Sequence, residues 1–196
     1  MNTLYQLKGG FEDPPIASQA VFRNLLNALS MPAQKVELGA ICEPPEGLSC
    51  AAAAVALTLI DFETPLWISP ELKDAEAEQW LRFHCGCPLA DSAGDAAFAI
   101  GGSSLPGLSV FNPGDAKYPD QSTTLLLEVQ ALTGGDPVQM VGPGIAESRT
   151  IAPLGLPDQF WAEWQDNGQA FQFGIDVFLC AEDAVIGLPR TLRLAI

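Results

Sequence analysis

Apolar and polar residues recur along the chain with spacings that predict a first helix followed by alternating strands and helices. In the first segment the apolar residues fall at i, i+3, i+4 and i+7: Phe22, Leu25, Leu26 and Leu29. Pro32 cannot continue a helix, so we place an amphipathic helix at Ile16–Met31. The expected consequence is one apolar stripe facing the core.

Shorter apolar runs downstream predict the remaining elements. Predicted strands span residues 34–38, 64–68, 96–100, 123–132, 138–141, 174–180 and 185–188. Predicted helices span about 51–60, capped by Ser49, a segment that begins at Ser69-Pro70-Glu71, and 157–165. Turn residues at 133–136 and 181–184 suggest two hairpins. This order predicts an α/β protein with a mixed sheet, forming one domain over residues 1–196.

One long segment has no regular pattern. Residues 101–120 are rich in Gly, Pro and Asp, and connections of this length are uncommon unless they serve a function. We therefore expect a functional or mobile loop there.

The composition is apolar for a protein of this size. Of the 196 residues, 48% are hydrophobic and 17% are charged. A chain of this length can bury one core without a disulfide or a metal. The surplus of apolar residues predicts that some apolar surface is covered by a partner.

The charge and the cysteines restrict the partners and the compartment. A net charge of −15 disfavours nucleic acid and anionic membranes, and the longest apolar run, 50–57, is too short to span a bilayer. Five cysteines form no regular framework, and the N-terminus shows no basic region leading into an apolar run. We expect a protein with reduced thiols in the cytoplasm.

His84 is the only histidine and therefore the only candidate imidazole base, with Arg82 nearby to orient an anion. The alternative is a histidine at a helix end that bonds a backbone carbonyl. Cys85 and Cys87 follow directly, but a structural zinc site needs four spaced ligands, so no metal site is predicted.

Three further positions carry charge in settings that suit a site. Asp61 and Glu63, followed by Thr64, place two carboxylates at a helix-to-strand junction, where acid-base pairing competes with the more common role of capping. Glu147 and Arg149 end a Gly-rich stretch that lacks the Gly-Lys-Ser/Thr of a phosphate loop, so a turn competes with an anion or partner contact. Arg190 suits an ion pair and a phosphate equally.

Five segments in order along nearly the whole chain resemble the PhnH subunit family of the carbon-phosphorus lyase core complex. They are Phe22–Pro32, Leu57–Trp67, Leu81–His84, Gly142–Pro153 without Thr150, and Gly174-Ile175-Asp176 with Pro189-Arg190-Thr191. Cys85 and Cys87 do not belong to the family pattern.

The resemblance implies a three-layer αβα fold similar to the large domain of pyridoxal-phosphate-dependent transferases, without the cofactor. It also implies a homodimer that assembles with PhnG, PhnI and PhnJ to couple phosphonate to a purine nucleoside triphosphate before the carbon-phosphorus bond is cleaved. The resemblance further implies that another subunit carries out the radical iron-sulfur chemistry. None of the four lysines has a setting suited to a Schiff base, in agreement with the absent cofactor.

We therefore expect an accessory subunit without catalytic activity of its own. The candidate catalytic residues are His84 and Glu147, and the candidates for binding substrate or partner are Asp61, Thr64, Arg82, Arg149, Asp176 and Arg190. One alternative is a binding site for a phosphonate or nucleotide phosphate on which Arg82, His84, Glu147 and Arg190 converge. A second is a decayed pyridoxal-phosphate enzyme that retains affinity for the cofactor.

Overall fold

The computed structural model describes residues 9–73 and 75–195, which form a mixed α/β fold. Within these residues there are four α-helices: α1 Pro14–Ser30, α2 Cys50–Leu59, α3 Ala75–Cys85 and α4 Phe160–Gln169. The described part of the chain also has nine strands: β1 Lys35–Glu37, β2 Leu66–Ile68, β3 Phe98–Gly101, β4 Thr124–Glu128, β5 Val138–Val141, β6 Arg149–Ile151, β7 Asp176–Ala181, β8 Ala184–Leu188 and β9 Arg193–Leu194. None of the helices described has the length and apolarity needed to cross a bilayer.

Six strands form the main sheet, in the order β1-β8-β7-β4-β3-β2. Strands β2, β3, β4 and β7 are parallel, whereas β8 runs antiparallel to both β7 and β1. Strands covered on both faces are apolar without interruption, as in the fully buried run Leu125, Leu126 and Leu127 of β4. The predicted mixed sheet is confirmed.

Helices and a second sheet cover the two faces of the main sheet. The core on one face joins the sheet to α1, α2 and α3. The core on the other face includes Phe160 and Trp164 of α4 and side chains of a small antiparallel sheet ordered β6-β5-β9. This arrangement agrees with the predicted three layers.

Capping and residue size explain where α1 and α2 begin. Asp13 caps α1 by accepting a hydrogen bond from the Ile16 amide (3.5 Å), and prolines occupy the first turn. Ser49 caps α2 by accepting one from the Ala52 amide (3.0 Å). The alanines of α2 are fully buried, because their small side chains let the helix lie close to its neighbours. Both predicted helices are confirmed to within two residues at their starts.

Close backbone contact holds α1 against the sheet at β8. Gly187 of β8 faces Ala28 of α1, and a Cβ atom there would collide with the Ala28 carbonyl oxygen. The amide of Ala33, just after the helix, donates to the Gly187 carbonyl (3.0 Å). Gly187 therefore sets how closely α1 approaches the sheet.

The predicted hairpin between 123–132 and 138–141 is wrong. After Glu128 the chain leaves the main sheet, and Ala131 pairs with Leu154 instead. The turn at 133–136 then leads into β5, which pairs with β6 and β9. The second predicted hairpin, β7 with β8, is confirmed.

The helix predicted to begin at Ser69-Pro70-Glu71 begins later. The amides of Leu72 and Lys73 bond the Ser69 carbonyl in a turn, and α3 starts at Ala75. The Glu71 carboxylate accepts hydrogen bonds from Gly102 and Ser104 (2.9 and 3.1 Å) instead of capping its own helix.

Residues 101–120 are packed against the fold at the start and in the middle of the segment. Glu71 holds its start, and Glu163 of α4 accepts a hydrogen bond from the Leu108 amide (2.6 Å). Leu108 and Phe111 are buried in the core beside α4. The segment thus covers one face of the sheet, and the expectation of a functional role stays a prediction.

Candidate functional site

Arg190 and Asp176 form an ion pair at the end of the main sheet where β7 begins. The guanidinium Nη2 and Nε lie 2.6 and 3.2 Å from the Asp176 carboxylate oxygens, and the Arg190 amide donates to Oδ1 (2.7 Å). Nη2 also donates to Ser122 Oγ (2.6 Å), and Nη1 to the Pro119 carbonyl (2.9 Å). Every side-chain nitrogen of Arg190 has a protein acceptor, which favours the ion pair over a phosphate.

This ion pair is expected to stabilise the fold. The Arg190 and Asp176 side chains are only 15% and 22% exposed. Removing one of them would therefore leave the charge of the other unpaired where little water can solvate it. We expect Arg190→Leu to lower the free energy of unfolding by about 2 kcal/mol. A double-mutant cycle with Asp176→Asn, measured by urea unfolding, should show a coupling energy above about 1 kcal/mol; additive losses would contradict this role.

Arg149 anchors the C-terminal end of α1. Its Nη1 donates to the carbonyl oxygens of Met31 (3.2 Å) and Pro32. In the same loop Gly144 (φ 85°) lies so close to the Ser30 carbonyl that a side chain there would collide with it. A cation at a helix C-terminus also interacts favourably with the helix dipole. The stretch 142–149 is therefore a support for α1, and its Glu147 is exposed.

Asp61 and Thr64 bond each other within the loop after α2. The Asp61 carboxylate accepts hydrogen bonds from the Glu63 amide (2.9 Å) and Thr64 Oγ1 (3.2 Å), and the Asp61 amide donates to Thr64 Oγ1 (2.7 Å). These bonds are those of a loop that ends a helix. A role of the two residues in binding substrate or partner stays a prediction.

Arg82 and His84 lie on the last turn of α3. Arg82 Nη1 is 3.7 Å from Glu78 Oε1, one turn earlier on the same helix. The His84 ring contacts the rings of Trp80 and Phe83, with centroids 4.5 and 5.0 Å apart, and packs against Gly10. Aromatic packing therefore fixes the orientation of the imidazole.

The contacts of the predicted site residues place them in separate groups. Arg82 and His84 belong to α3, Glu147 and Arg149 lie before and at the start of β6, and Arg190, just after β8, pairs with Asp176 at the start of β7. The structure brings together the pairs Asp61–Thr64 and Asp176–Arg190. Convergence of the four candidates on one anion gains no support from these contacts.

Within residues 9–73 and 75–195, no three His, Cys, Asp or Glu side chains are grouped as a metal ion would require.

An exposed apolar surface lies along α1, where the sequence predicted a buried stripe. Val21, Leu25 and Ala28 face the core, whereas Phe22 and Leu26 are 47% and 52% exposed. That part of the prediction is wrong, because the helix is apolar on a wider arc than the sheet covers. We call Phe22, Leu26 and the groove beside them the α1 face.

The groove of the α1 face reaches the end of the main sheet. It encloses about 130 Å³ and is lined by α1, by Leu59 of α2, and by the first residues of three parallel strands, Phe98, Thr124 and Asp176. The Asp176–Arg190 pair thus borders an apolar surface.

Glu128 is a half-buried acid that sequence reasoning missed. It ends the apolar strand β4, and its Oε1 accepts a hydrogen bond from the Ser49 amide at the start of α2 (2.7 Å). Burial raises the pKa of Glu128 from 4.5 to about 7, against the opposing effect of the Ser49 hydrogen bonds. The only sequence signal is an acid that ends a run of leucines.

The raised pKa of Glu128 makes stability depend on pH. Between pH 4.5 and about 7 the folded protein keeps a proton that the unfolded chain has lost, so stability falls as pH rises through this window. Since one pKa unit corresponds to about 1.4 kcal/mol, the loss reaches about 3 kcal/mol. Glu128→Gln keeps an acceptor for Ser49 and should remove this loss. Urea unfolding at pH 5 and pH 8 should show the variant gaining over wild type at pH 8; an equal difference at both pH values would contradict the assignment.

Comparison with known proteins relates these features to one family. The family model described as "Bacterial phosphonate metabolism protein (PhnH)" matches residues 9–195, a range that contains all five segments quoted above. The chain is also similar to a protein of Rhizobium meliloti (strain 1021), the "Alpha-D-ribose 1-methylphosphonate 5-triphosphate synthase subunit PhnH". The two are 44% identical over 188 residues, which cover 95% of this chain and 94% of the relative.

Proposed function

Because this chain belongs to the PhnH family of bacterial phosphonate metabolism proteins, we propose that it is an accessory subunit of a synthase that couples an alkylphosphonate to a purine nucleoside triphosphate. The synthase named for the relative supports this reaction. The observation that carries the accessory role is the α1 face, an apolar surface on a segment that resembles the family.

Five exposed apolar side chains lie in the segments of family resemblance. Phe22, Leu26 and Met31 lie in the first segment, Phe62 (73% exposed) in the second, and Phe83 (60% exposed) in the third. Exposed aromatic side chains of this kind are typical of protein interfaces. Partner subunits are therefore the most direct explanation of why these apolar residues face solvent.

The charged candidates support an accessory role as well. Arg190 is engaged by Asp176 and Ser122, and Arg149 by the end of α1, so both guanidinium groups hold the fold together. A phosphate would have to displace these acceptors to bind. We assign the chain no cofactor, metal or catalytic step of its own.

We further propose that the chain forms a homodimer and assembles with PhnG, PhnI and PhnJ in the cytoplasm. The α1 face provides an apolar contact surface, and the cysteines are free thiols, as expected in a reducing compartment.

Co-expression tests the proposed function. The chain, carrying an affinity tag, is expected to co-purify with PhnG, PhnI and PhnJ in fixed stoichiometry, and to be required for synthase activity of the complex. Calorimetric titration of the isolated chain with a phosphonate and with ATP should give no heat of binding. A chain that stays a free monomer while the others form an active synthase would overturn the proposal.

A further inference from the structure

Two cysteines from different elements meet beside the start of α2. Cys42 lies in the segment after β1, Cys50 is the first residue of α2, and their Sγ atoms are 3.2 Å apart. Cys42 is 9% exposed and Cys50 is half-buried, and both are free thiols. A small movement of either side chain would bring the sulfurs to bonding distance.

The surroundings of the two sulfurs favour a thiolate at Cys50. A hydrogen bond with the Cys42 thiol is the largest cause that lowers the pKa of Cys50, to about 6, with burial opposing and backbone hydrogen bonds of Cys42 and Ile41 assisting. The same bond and burial raise the pKa of Cys42. The position of Cys50 in the first turn of α2 also suits a negative charge.

Two carbonyl oxygens also contact Cys50. Those of Cys42 and Gly39 lie 3.3 and 3.6 Å from Cys50 Sγ and accept hydrogen bonds from the protonated thiol. Cys50 Sγ therefore contacts the Cys42 thiol (3.2 Å) and these two carbonyls together.

Solvent reaches this pair through an open cleft. Cys42 lines the cleft, whose walls are the segment around Leu38 and Ile41 and the first turns of α1, with Glu12 and Ile16 at the rim. The cleft therefore opens onto Cys42, and the half-buried Cys50, which does not line the cleft, has its Sγ 3.2 Å from Cys42 Sγ.

We propose that Cys42 and Cys50 are a redox-reactive pair, a modification site in which a peroxide converts the two thiols to a reversible disulfide. This inference does not depend on the proposed function. It rests on the distance between the sulfurs, their placement in separate elements, and the open cleft.

The chemistry balances with hydrogen peroxide as the oxidant. The Cys50 thiolate attacks one peroxide oxygen; an S–O bond forms, the O–O bond breaks, and hydroxide leaves, giving Cys50 sulfenic acid. Cys42 Sγ then attacks Cys50 Sγ, the S–O bond breaks, and the departing hydroxide takes the Cys42 proton as water. In sum the two thiols lose two electrons and two protons, and the peroxide is reduced to two waters.

Peptide mapping of the wild-type chain tests the pair. The reduced protein is treated with one equivalent of hydrogen peroxide, alkylated, digested and analysed by mass spectrometry. The expected product is a linked peptide pair containing Cys42 and Cys50, lighter by two hydrogens and restored by dithiothreitol. Cys180, which is fully buried, should stay a thiol and serves as the internal control. Recovery of both Cys42 and Cys50 as alkylated thiols, or a disulfide only between Cys85 and Cys87, would overturn the proposal.

Serine variants assign the two roles. Cys42→Ser keeps a hydrogen-bond donor beside Cys50 but cannot close the disulfide, so Cys50 sulfenic acid should accumulate and react with dimedone. Cys50→Ser should leave Cys42 unreactive. Equal dimedone labelling in the two variants would contradict the assignment.

A rate measurement on the wild-type chain tests the pair even if a serine variant fails to fold. In the folded wild-type chain Cys50 should react with iodoacetamide at pH 7 about tenfold faster than Cys85. A Cys50 rate at or below that of Cys85 would overturn the proposal.

Discussion

Replacing Phe22 and Leu26 by serine is expected to release this chain from its partner subunits while its fold stays intact. Both side chains are about half exposed on α1, so the folded chain loses little buried apolar surface. A buried aromatic side chain at an interface contributes about 2 kcal/mol or more, so affinity should fall at least about thirtyfold. Co-purification and sedimentation of the reconstituted complex measure the loss.

Phe171→Ser provides the matched control. Phe171 is 61% exposed at the end of α4 and lies outside the segments of family resemblance. The same chemical change there should leave assembly unchanged, and both variants should keep the circular dichroism spectrum of the folded wild-type chain. Equal assembly of the two variants would show that the α1 face is not an interface.

Gly187→Ala is expected to lower the free energy of unfolding strongly, although it adds only one methyl group. The added methyl group would collide with the Ala28 carbonyl and force α1 away from β8. Backbone atoms on both sides cannot yield as a flexible side chain does, so we expect a loss of about 3 kcal/mol in the free energy of unfolding. Urea unfolding followed by circular dichroism measures this loss.

Gly94→Ala is the control for the glycine change itself. A Cβ at Gly94 meets no heavy atom nearer than the Val110 carbonyl oxygen at 3.4 Å. Its effect should stay within about 0.5 kcal/mol. If the two alanine variants were equally stable, close approach of α1 to β8 would not be a determinant of the fold.

Features coded by neighbouring residues could be predicted from the sequence. Asp13 with two following prolines and Pro32 mark the two ends of α1, and the turn at 181–184 joins two apolar runs that do pair. In each case the capping or turn residues lie within a few positions of the element they define. The composition also indicated apolar surface left for a partner, which the exposed Phe22 fits.

Pairings between distant segments could not be predicted. Turn residues at 133–136 looked like those of a hairpin, yet the choice of Leu154 as the partner of Ala131 depends on the second sheet. Likewise Arg149 donates hydrogen bonds to backbone carbonyls 117 and 118 residues away. No residue near Arg149 in the sequence indicates these acceptors. The sequence leaves the binding partner of Arg149 open, and the partner is determined only by the packing of the folded chain.

The buried face of α1 shows a second limit of prediction from the sequence. Periodicity indicates an apolar arc but not how much of it the sheet covers, so Phe22 and Leu26 were placed in the core. Glu128 was overlooked because a strand-ending acid normally faces solvent, whereas here α2 closes over it. Both errors arise from how layers are stacked, which spacing alone does not encode.

Side-chain footprinting of the free and assembled chain tests the central claim most directly. Hydroxyl radicals modify exposed side chains, and mass spectrometry reports the extent at Phe22, Leu26 and Phe171. The α1 face predicts that modification of Phe22 and Leu26 falls severalfold when PhnG, PhnI and PhnJ are bound, while that of Phe171 stays constant. Unchanged modification of Phe22 and Leu26 in the assembled synthase would contradict the account.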